Sequence, residues 1–430
     1  MNVAQTRQTG LPDFSILNSF RMQALLCVIF GALLPTFAYF FPEPSRFFDR
    51  SSTHVSLAAS TVAVIVGIYF SRRVTAFPGT TLLSSALPSF AIAFGALALG
   101  ILVLRIPYSG AILTMNAICC SIVIILLALA TSRIAGPRFH LVPGERARQL
   151  LTLQEIDCEA MARPQLPDRR NAFIVADLHQ NMAPEWERML ALATLKGIPV
   201  FHYKQVYESV SGKVQIEHLS ENNFGALLPS IPYAKVKRLI DLVMAIIALP
   251  LLLIPMLIVA LLVKLDSPGP VLFRQERMGY RGSTFQVIKI RTMHAAQGSD
   301  GRGDASHAMT QDNDMRVTRI GRFLRRTRID ELPQIINILR GEMSWIGPRP
   351  EAVSLSEWYE SELPFYAYRH IVRPGITGWA QVNQGHVTEL DSINTKLQYD
   401  FFYIKNFSYW IDILIAVRTV MVLVSGFGSR

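Results

Sequence analysis

The most informative segment of the chain reads Arg325-Arg326-Thr327-Arg328-Ile329-Asp330-Glu331-Leu332-Pro333-Gln334. It sets two adjacent carboxylates beside three arginines at a point where a helix is predicted to begin. Pro333 suits the first turn of a helix, where its missing N–H costs nothing, and aliphatic residues between Ile335 and Leu339 supply the apolar face that follows. The helix dipole and the guanidinium groups both favour ionised carboxylates. We therefore expect Asp330 and Glu331 to be charged at pH 7.

These two acids have a catalytic and a structural interpretation. A carboxylate nucleophile must be ionised to attack a phosphorus atom, and a second carboxylate beside it can hold a divalent cation. On this interpretation Asp330 is the nucleophile and Glu331 binds the metal. On the structural interpretation, the two acids cap the helix and form surface ion pairs, which is the commoner role of a bare Asp-Glu pair beside arginines. The sequence around the pair decides between the two.

Seven motifs of the C-terminal half favour the catalytic interpretation. They read Lys264-Leu-Asp-Ser-Pro-Gly-Pro270, Gln275-Glu-Arg-Met-Gly279, Lys289-Ile-Arg-Thr-Met293, Asp330-Glu-Leu-Pro-Gln334, Gly347-Pro-Arg-Pro350, Arg373-Pro-Gly-Ile-Thr-Gly-Trp379 and Tyr399-Asp-Phe-Phe-Tyr-Ile404. In this order they resemble the bacterial sugar transferase family, the polyprenyl-phosphate hexose-1-phosphate transferases, over roughly residues 234 to 430. So many ordered motifs leave little room for chance.

The resemblance implies a two-step transfer. A carboxylate attacks the sugar-proximal phosphate of a UDP-sugar, UMP leaves, and a phospho-sugar enzyme intermediate is passed to undecaprenyl phosphate. The family's nucleophile maps onto Asp330 and its Mg²⁺-binding acid onto Glu331. The relatives suggest glucose or galactose as the hexose, ahead of N-acetylated sugars, and a product that starts an exopolysaccharide, capsule or O-antigen repeat unit. A homodimer is expected on the same ground.

Cationic side chains are also expected at such a site, because breaking a pyrophosphate bond requires charge neutralisation and in-line positioning. The candidates for phosphate contact lie in or beside the matching motifs: Lys289, Arg291, Arg325, Arg328, Arg349 and Arg373. Arg349 has the strongest support, since the prolines on either side of it fix its backbone. For any one of these residues taken singly, a solvated surface charge is the commoner role.

Four apolar runs precede the catalytic half. The chain has 430 residues, 50% of them hydrophobic, and the runs at 22–41, 54–70, 81–104 and 109–130 carry no charge in their interiors. All but the second are long enough to cross ~30 Å of hydrocarbon at ~1.5 Å per residue. The sequence therefore predicts a short N-terminal tail at 1–21 and a bundle of four transmembrane helices within 22–130. A carrier or flippase would place charged residues inside its spans, and these runs have none.

The distribution of arginine predicts the orientation of these helices. Arginines precede the first run and follow the second and the fourth: Arg7, Arg21, Arg72, Arg73, Arg133, Arg138, Arg146 and Arg148. By the positive-inside rule, the N-terminus and everything after residue 131 are cytoplasmic, which predicts the bacterial inner membrane with the catalytic part on its cytoplasmic face. The net charge of +10 suits an anionic lipid bilayer, and nucleic acid is not needed to explain it.

A fifth apolar run, at about 239–263, has basic residues on both flanks. A span here would carry the catalytic part out of the cell, away from UDP-sugars, whereas the basic flanks favour both ends on the cytoplasmic side. Pro250 and Pro255 interrupt the helical pattern near its middle. We therefore predict a re-entrant membrane hairpin at about 236–264, broken at Pro250, within a mainly α-helical monotopic catalytic domain at 234–430.

Residues 131–233 predict a small parallel α/β module. Strands at 138–142, 171–177 and 198–202 alternate with helices at 145–153 and 185–196. The pattern resembles a shortened form of the Rossmann-like module found in larger members of the family. Its first strand-to-helix turn has a single glycine, Gly144, where a dinucleotide binder carries three. A structural, dimer-forming or regulatory role is therefore favoured over nucleotide binding.

Three further features have a weaker signal. The glycine-containing tract at 295–314 is predicted to be a loop near the active site, either closing over the nucleotide or acting as a solvated spacer. The apolar stretch at 409–424 contains Asp412 and Arg418, which favours an in-plane interfacial helix over a sixth span. His386 and the four cysteines are predicted to be structural, since no metal-ligand spacing connects them.

A non-catalytic membrane scaffold or regulator of a polysaccharide assembly complex is the alternative function. Such a protein could lose the charged residues of the motifs without losing its fold. The intact residues Asp330, Glu331, Lys289 and Arg349 argue against it.

Overall fold

The computed structural model of the protein describes residues 17, 19–41, 51–75, 82–132, 138–154, 156–167, 172–215, 229–294, 316–384 and 390–425. The chain divides into two compact units, Met1–Ser211 and Gly212–Arg430. The predicted loop at 295–314, His386 and almost all of the predicted tail at 1–21 lie outside the described residues.

Four long apolar helices form the first part of the N-terminal unit. They are α1 (Phe20–Tyr39), α2 (Ser51–Val74), α3 (Leu82–Val103) and α4 (Gly110–Ser132). All four are long and apolar enough to cross a membrane. The second run was predicted to be too short, and this is wrong, because polar residues at both ends extend α2 to 24 residues. That the four helices span a bilayer stays a prediction.

A polar contact ties three of these helices together. Asn116 of α4 is fully buried, and its amide donates to Thr36 Oγ1 of α1 and to Ser60 Oγ of α2, each at 3.1 Å. Gly31 of α1 lets the backbone of α4 approach closely, since a side chain there would meet Cys120. Small residues and interhelical hydrogen bonds of this kind are typical of helix packing in membranes.

The rest of this unit contains a small parallel sheet, as predicted. Its strands are β1 (Arg138–Leu141), β2 (Cys158–Ala160), β3 (Ala172–Ala176) and β4 (Val200–His202), in the order β2-β1-β3-β4. Helices α5 (Pro184–Leu195) and α6 (Tyr203–Ser211) accompany it. The predicted helix at 145–153 is a 3-10 helix, Ala147–Thr152, and β2 was missed because its three residues show no alternation. The likeness to a Rossmann module stays a prediction.

The fifth apolar run forms one helix, α7 (Ile231–Asp266), which continues through Pro250 and Pro255. The predicted break at Pro250 is therefore wrong. Each proline removes one backbone donor, but packing holds the helical path on both sides: Ala245 packs in the core with Val287 and Ile335, and Val263 packs with Ile290 and Leu324. Both ends of α7 thus contact the same compact unit, while the opposite face of the helix is exposed and apolar.

Within the described residues, the rest of the C-terminal unit contains two short sheets, six further α-helices and short 3-10 helices. Strands β5 (Leu272–Met278) and β6 (Thr284–Ile290) are antiparallel, and β7 (Ser344–Ile346) and β8 (Gly375–Thr377) are parallel. The helices are α8 (Arg319–Thr327), α9 (Ile335–Arg340), α10 (Val353–Glu362), α11 (Trp379–Asn383), α12 (Leu390–Lys405) and α13 (Tyr409–Ser425). Phe285 and Val287 of β6 pack against Ile335 and Ile338 of α9, so the core lies beside the segment that carries the two acids.

A buried polar cluster attaches the first turns of α7 to α12 and α13. Asp412 of α13 accepts from Lys237 Nζ at 2.6 Å and from the hydroxyls of Tyr233 and Tyr403 at 2.5 and 2.9 Å. We call these four residues the helix anchor. Asp412 points into the unit, so it gives no support to an interfacial position of α13, which stays a prediction.

Candidate active site

A left-handed residue creates the turn that carries the two acids. Helix α8 begins at a Thr318 side-chain cap and ends at Arg328, whose φ of 58° reverses the chain. A 3-10 helix, Ile329–Gln334, follows at once and leads into α9. Asp330 and Glu331 lie in its first turn, and Pro333 lies inside it. The predicted helix start is therefore present, with a 3-10 segment before the α-helix.

Three cations converge on one oxygen of Glu331. Arg349 Nη2 lies 2.8 Å from Glu331 Oε1, Lys289 Nζ lies 3.4 Å away and Arg328 Nη1 lies 3.6 Å away. Burial alone would raise the pKa of Glu331, but Arg349 and Lys289 outweigh it and hold this pKa well below its usual range. Glu331 is therefore ionised throughout the physiological range, as the sequence predicted.

Asp330 has the opposite environment. Its side chain is buried, and Oδ1 has no hydrogen-bond partner among the residues that the structure describes. Burial and then the charge of Glu331 raise the pKa of Asp330 to about 6, against the opposing effect of Lys289, Arg349 and Arg325. With a pKa of about 6, Asp330 is mostly ionised at pH 7, as expected. Its environment nevertheless raises the pKa instead of lowering it, so the carboxylate is a desolvated anion with one oxygen that has no partner among the described residues.

Two of the three cations at Glu331, Lys289 and Arg349, come from distant parts of the chain. Lys289 lies on β6, where burial and then the charge of Arg349 lower its pKa to about 8. Arg349 lies between β7 and α10, and the charge of Glu331 raises its pKa above the usual range. A fixed guanidinium and an ammonium at this position can bind the oxygens of a pyrophosphate group and neutralise their charge.

Two of the other predicted arginines lie at the same turn. Arg325 Nε donates to Thr292 Oγ1 at 2.9 Å, and the Arg325 charge opposes the rise in the pKa of Asp330. Arg328 is half-buried at the turn itself and reaches Glu331. The structure therefore brings Lys289, Arg325, Arg328 and Arg349 together around the two acids.

Arg291 and Arg373 lie elsewhere. Arg291 donates to the carbonyls of Ser267 and Pro268, each at 2.7 Å, and so holds the chain as it leaves α7. Arg373 Nε donates to the Gly341 carbonyl at 3.0 Å, and its guanidinium lies 5.0 Å from the centre of the Tyr280 ring. In the described part of the chain neither guanidinium contacts Asp330 or Glu331, so their proposed phosphate contacts gain no support. Pro250 lies within α7, beside residues that pack against the β6 and α9 core.

Sequence reasoning missed a buried ionic network behind Arg349. Its members are Arg277, Glu351, Arg369, Lys396 and Asp400. One signal could have indicated part of it, because Lys396 and Asp400 are four residues apart and lie on one face of a helix. The other members are far apart in the sequence, and no local pattern connects them.

A second group of possible metal ligands lies at the carboxyl ends of β3 and β4. One ligand atom from each of Asp177, His179 and His202 lies within 4.8 Å of the others. The backbone N–H of Lys204 donates to His202 Nδ1 at 3.1 Å, which places the proton of a neutral His202 on Nε2, 2.8 Å from His179 Nδ1 and 3.4 Å from Asp177 Oδ1. A protonated Nε2 cannot ligate a metal, so the three residues form a hydrogen-bonded group.

Comparisons with known proteins agree with the catalytic interpretation. Residues 232–426 match the family model described as bacterial sugar transferase. Over 390 residues, 90% of each chain, the protein is 40% identical to the UDP-N-acetylgalactosamine-undecaprenyl-phosphate N-acetylgalactosaminephosphotransferase of Aeromonas hydrophila.

Two further relatives match over less than half of this chain. The UDP-glucose:undecaprenyl-phosphate glucose-1-phosphate transferase of Caulobacter vibrioides is 43% identical over 198 residues, which are 46% of this chain and 72% of the relative. The enzyme of the same name from Xanthomonas campestris is 47% identical over 187 residues, 43% of this chain and 38% of the relative.

Proposed function

Because the chain belongs to the bacterial sugar transferase family and is an enzyme of that type, we propose that it transfers a sugar 1-phosphate from a UDP-sugar to undecaprenyl phosphate through a phosphorylated Asp330. The observation that carries this proposal is the pair of unlike carboxylates: Glu331 is bound by three cations, and Asp330 is buried with one oxygen that has no partner among the described residues. The product would start an exopolysaccharide, capsule or O-antigen repeat unit.

Asp330 is the nucleophile in this proposal. Desolvation makes its carboxylate a stronger base and a better nucleophile than a solvated aspartate, while a pKa of about 6 leaves it mostly ionised at pH 7. Its oxygen attacks the sugar-proximal phosphorus of the donor, the new O–P bond forms, and the bond from that phosphorus to the UMP oxygen breaks. UMP leaves with the electron pair of the broken bond.

The second step returns Asp330 to its initial state. A phosphate oxygen of undecaprenyl phosphate attacks the same phosphorus atom, and the acyl phosphate bond to Asp330 breaks. The product is an undecaprenyl diphosphate sugar, and the carboxylate is regenerated. Lys289 and Arg349 lie where they can neutralise the phosphate oxygens in both steps.

The residues present also suit Mg²⁺. Carboxylate oxygens are the ligands that Mg²⁺ prefers, and the three cations at Glu331 all lie at Oε1, which leaves Oε2 for a metal ion. Mg²⁺ held by Glu331 would neutralise charge on the pyrophosphate oxygens.

A cytoplasmic site at the inner membrane accords with the path of α7. Both ends of this helix contact the C-terminal unit, so both ends belong on one side of a bilayer. UDP-sugars are made in the cytoplasm, and the arginines that flank α1, α2 and α4 favour that side for the N-terminal unit. A cytoplasmic position of the catalytic unit at the inner membrane is therefore part of the proposal. That the protein forms a homodimer stays a prediction.

Two donors deserve to be tested first. The relative that matches over 90% of its length is named for UDP-N-acetylgalactosamine, which favours an N-acetylated hexose. Two relatives named for UDP-glucose match 46% and 43% of this chain and favour the hexose expected from the sequence. We place UDP-N-acetylgalactosamine first, because its relative matches 90% of this chain.

The test is UMP release by the purified full chain with a panel of UDP-sugars, undecaprenyl phosphate and Mg²⁺. Asp330→Asn should lower the rate at least about 10³-fold, because the amide cannot act as the nucleophile. Asp157→Asn, at an exposed acid of the other unit, is the matched control and should keep the wild-type rate.

A second readout tests the covalent step. Without undecaprenyl phosphate, the wild type should release about one UMP per chain in a burst and retain the sugar phosphate after denaturation. Release that survives Asp330→Asn would assign the nucleophile elsewhere. Folded protein that releases no UMP with any donor would favour the scaffold instead.

A further inference from the structure

The backbone of Arg349 and Pro350 is held by two guanidinium groups that the proposed reaction does not use. Arg369 Nη2 donates to the Arg349 carbonyl at 2.9 Å, and Arg277 Nη1 donates to the Pro350 carbonyl at 3.0 Å. On the other side of the loop, the Gly347 N–H donates to the Thr377 carbonyl of β8 at 2.9 Å. The segment that presents Arg349 is therefore tied down from two directions.

Arg369 itself is rigidly held. It is 3% exposed, and its Nε and Nη2 reach Asp400 Oδ2 at 3.1 and 2.9 Å. Its Nη1 donates to the Tyr366 hydroxyl at 2.6 Å. A planar guanidinium can direct donors to an acid, a hydroxyl and a carbonyl at once, and a lysine ammonium cannot copy that fork.

Buried ion pairs such as these add little net stability, because desolvating the ions costs about as much as their attraction returns. Glu351, the residue that follows Pro350, adds a second buried carboxylate that pairs with Lys396 and lies 4.0 Å from both Arg277 and Arg369. The network thus surrounds the two residues on the C-terminal side of Arg349. The network therefore fixes the path of the chain next to Arg349.

We propose that Arg369 is a positioning residue, which fixes the Arg349 carbonyl and thereby keeps the Arg349 guanidinium on Glu331, beside Asp330. This role rests on the proposed function, because it concerns the same site. Arg369 does not touch the two acids. It acts through the single hydrogen bond that it donates to the backbone carbonyl of Arg349.

The kinetic constants of the reaction report on this role. The Arg349 guanidinium contacts Glu331 beside Asp330, where it can neutralise phosphate charge during transfer. If the Arg349 backbone is released, this guanidinium is displaced and kcat per folded chain falls. A purely structural role would lower the thermal stability and leave kcat per folded chain unchanged.

The experiment compares wild type and Arg369→Lys as full chains in nanodiscs, with kcat and KM for UMP release normalised to folded protein. We expect kcat/KM to fall about 10–100-fold, mainly through kcat, because the site geometry loosens while the buried positive charge is kept. Lys237→Met, in the helix anchor, is the control: it also removes a buried ionic contact and should lower Tm without changing kcat per folded chain.

Tyr366→Phe provides a milder variant should Arg369→Lys fail to fold. It removes the hydroxyl that accepts from Arg369 Nη1 and should give a smaller fall in kcat. A folded Arg369→Lys or Tyr366→Phe protein with the wild-type kcat and kcat/KM would overturn the role of Arg369. Failure of the proposed function is distinguishable, since it would appear as no transfer by the wild type in the same assay.

Discussion

Two buried clusters in the C-terminal unit contain an aspartate beside a lysine, and they differ in how the aspartate is satisfied. In the helix anchor, both oxygens of Asp412 accept hydrogen bonds, from Lys237 and Tyr233 on one side and Tyr403 on the other. In the active site, Asp330 is equally buried, yet Oδ1 has no partner among the described residues.

The difference separates a structural aspartate from a reactive one. A buried carboxylate whose oxygens are all paired stabilises the contacts that pair it, and removing it leaves partners unsatisfied. A buried carboxylate with an unpaired oxygen costs folding free energy, and that oxygen is available to a substrate. The two clusters should therefore respond to the same substitution, Asp→Asn, in opposite directions.

Asp412→Asn should have the largest effect on stability. It leaves Lys237 as a buried charge without its partner, which typically costs about 3–5 kcal/mol. The measurement is thermal or denaturant unfolding of the full chain in detergent. Tyr233→Phe removes one neutral donor from the same carboxylate and should cost only about 1 kcal/mol. An Asp412→Asn protein as stable as wild type would contradict the structural role of the helix anchor.

Asp330→Asn should instead raise the stability by about 1–3 kcal/mol at pH 7 while abolishing transfer. The sign follows from its pKa, which is raised to about 6 by burial and by Glu331. The cost of the ionised form is fully present above that pKa and disappears as the pH falls toward the value in the unfolded chain. The gain of the variant in unfolding experiments should therefore shrink from pH 8 to pH 4.

Glu331→Gln is the matched comparison for that stability measurement. The pKa of Glu331 is held low by Arg349 and Lys289, so its contribution to stability is present at neutral pH and is lost only in acid. Removing the charge should lower the stability. An equal effect of Asp330→Asn and Glu331→Gln would contradict the unlike environments of the two acids.

The pH profile of transfer gives the smallest effect, about tenfold per pH unit outside its plateau. Attack requires ionised Asp330 and phosphate neutralisation requires protonated Lys289, with pKa values of about 6 and about 8. The rate of UMP release should therefore be maximal near pH 7 and fall on both sides. Lys289→Arg should extend the alkaline side, since a guanidinium stays protonated there. A profile that is flat from pH 5 to 9 would contradict both assignments.

Some features of the fold were accessible from the sequence because they are local. The four apolar helices of the N-terminal unit and the parallel strands of its sheet follow from runs and alternation of apolar residues. The path of α7 was not accessible, because whether a proline ends a helix depends on what packs on either side of it. The positions of Arg291 and Arg373 away from the two acids were not accessible either, since a motif gives order along the chain and not direction in space.

The sequence by itself determined that two carboxylates stand side by side at a helical turn beside arginines, in the motif order of one family. Only the tertiary structure decided that these carboxylates differ. Glu331 receives Lys289 from 42 residues upstream and Arg349 from 18 residues downstream, and Arg349 is in turn held by Arg369. A pKa depends on burial and on charges within a few ångströms, and those neighbours are set by packing between distant segments.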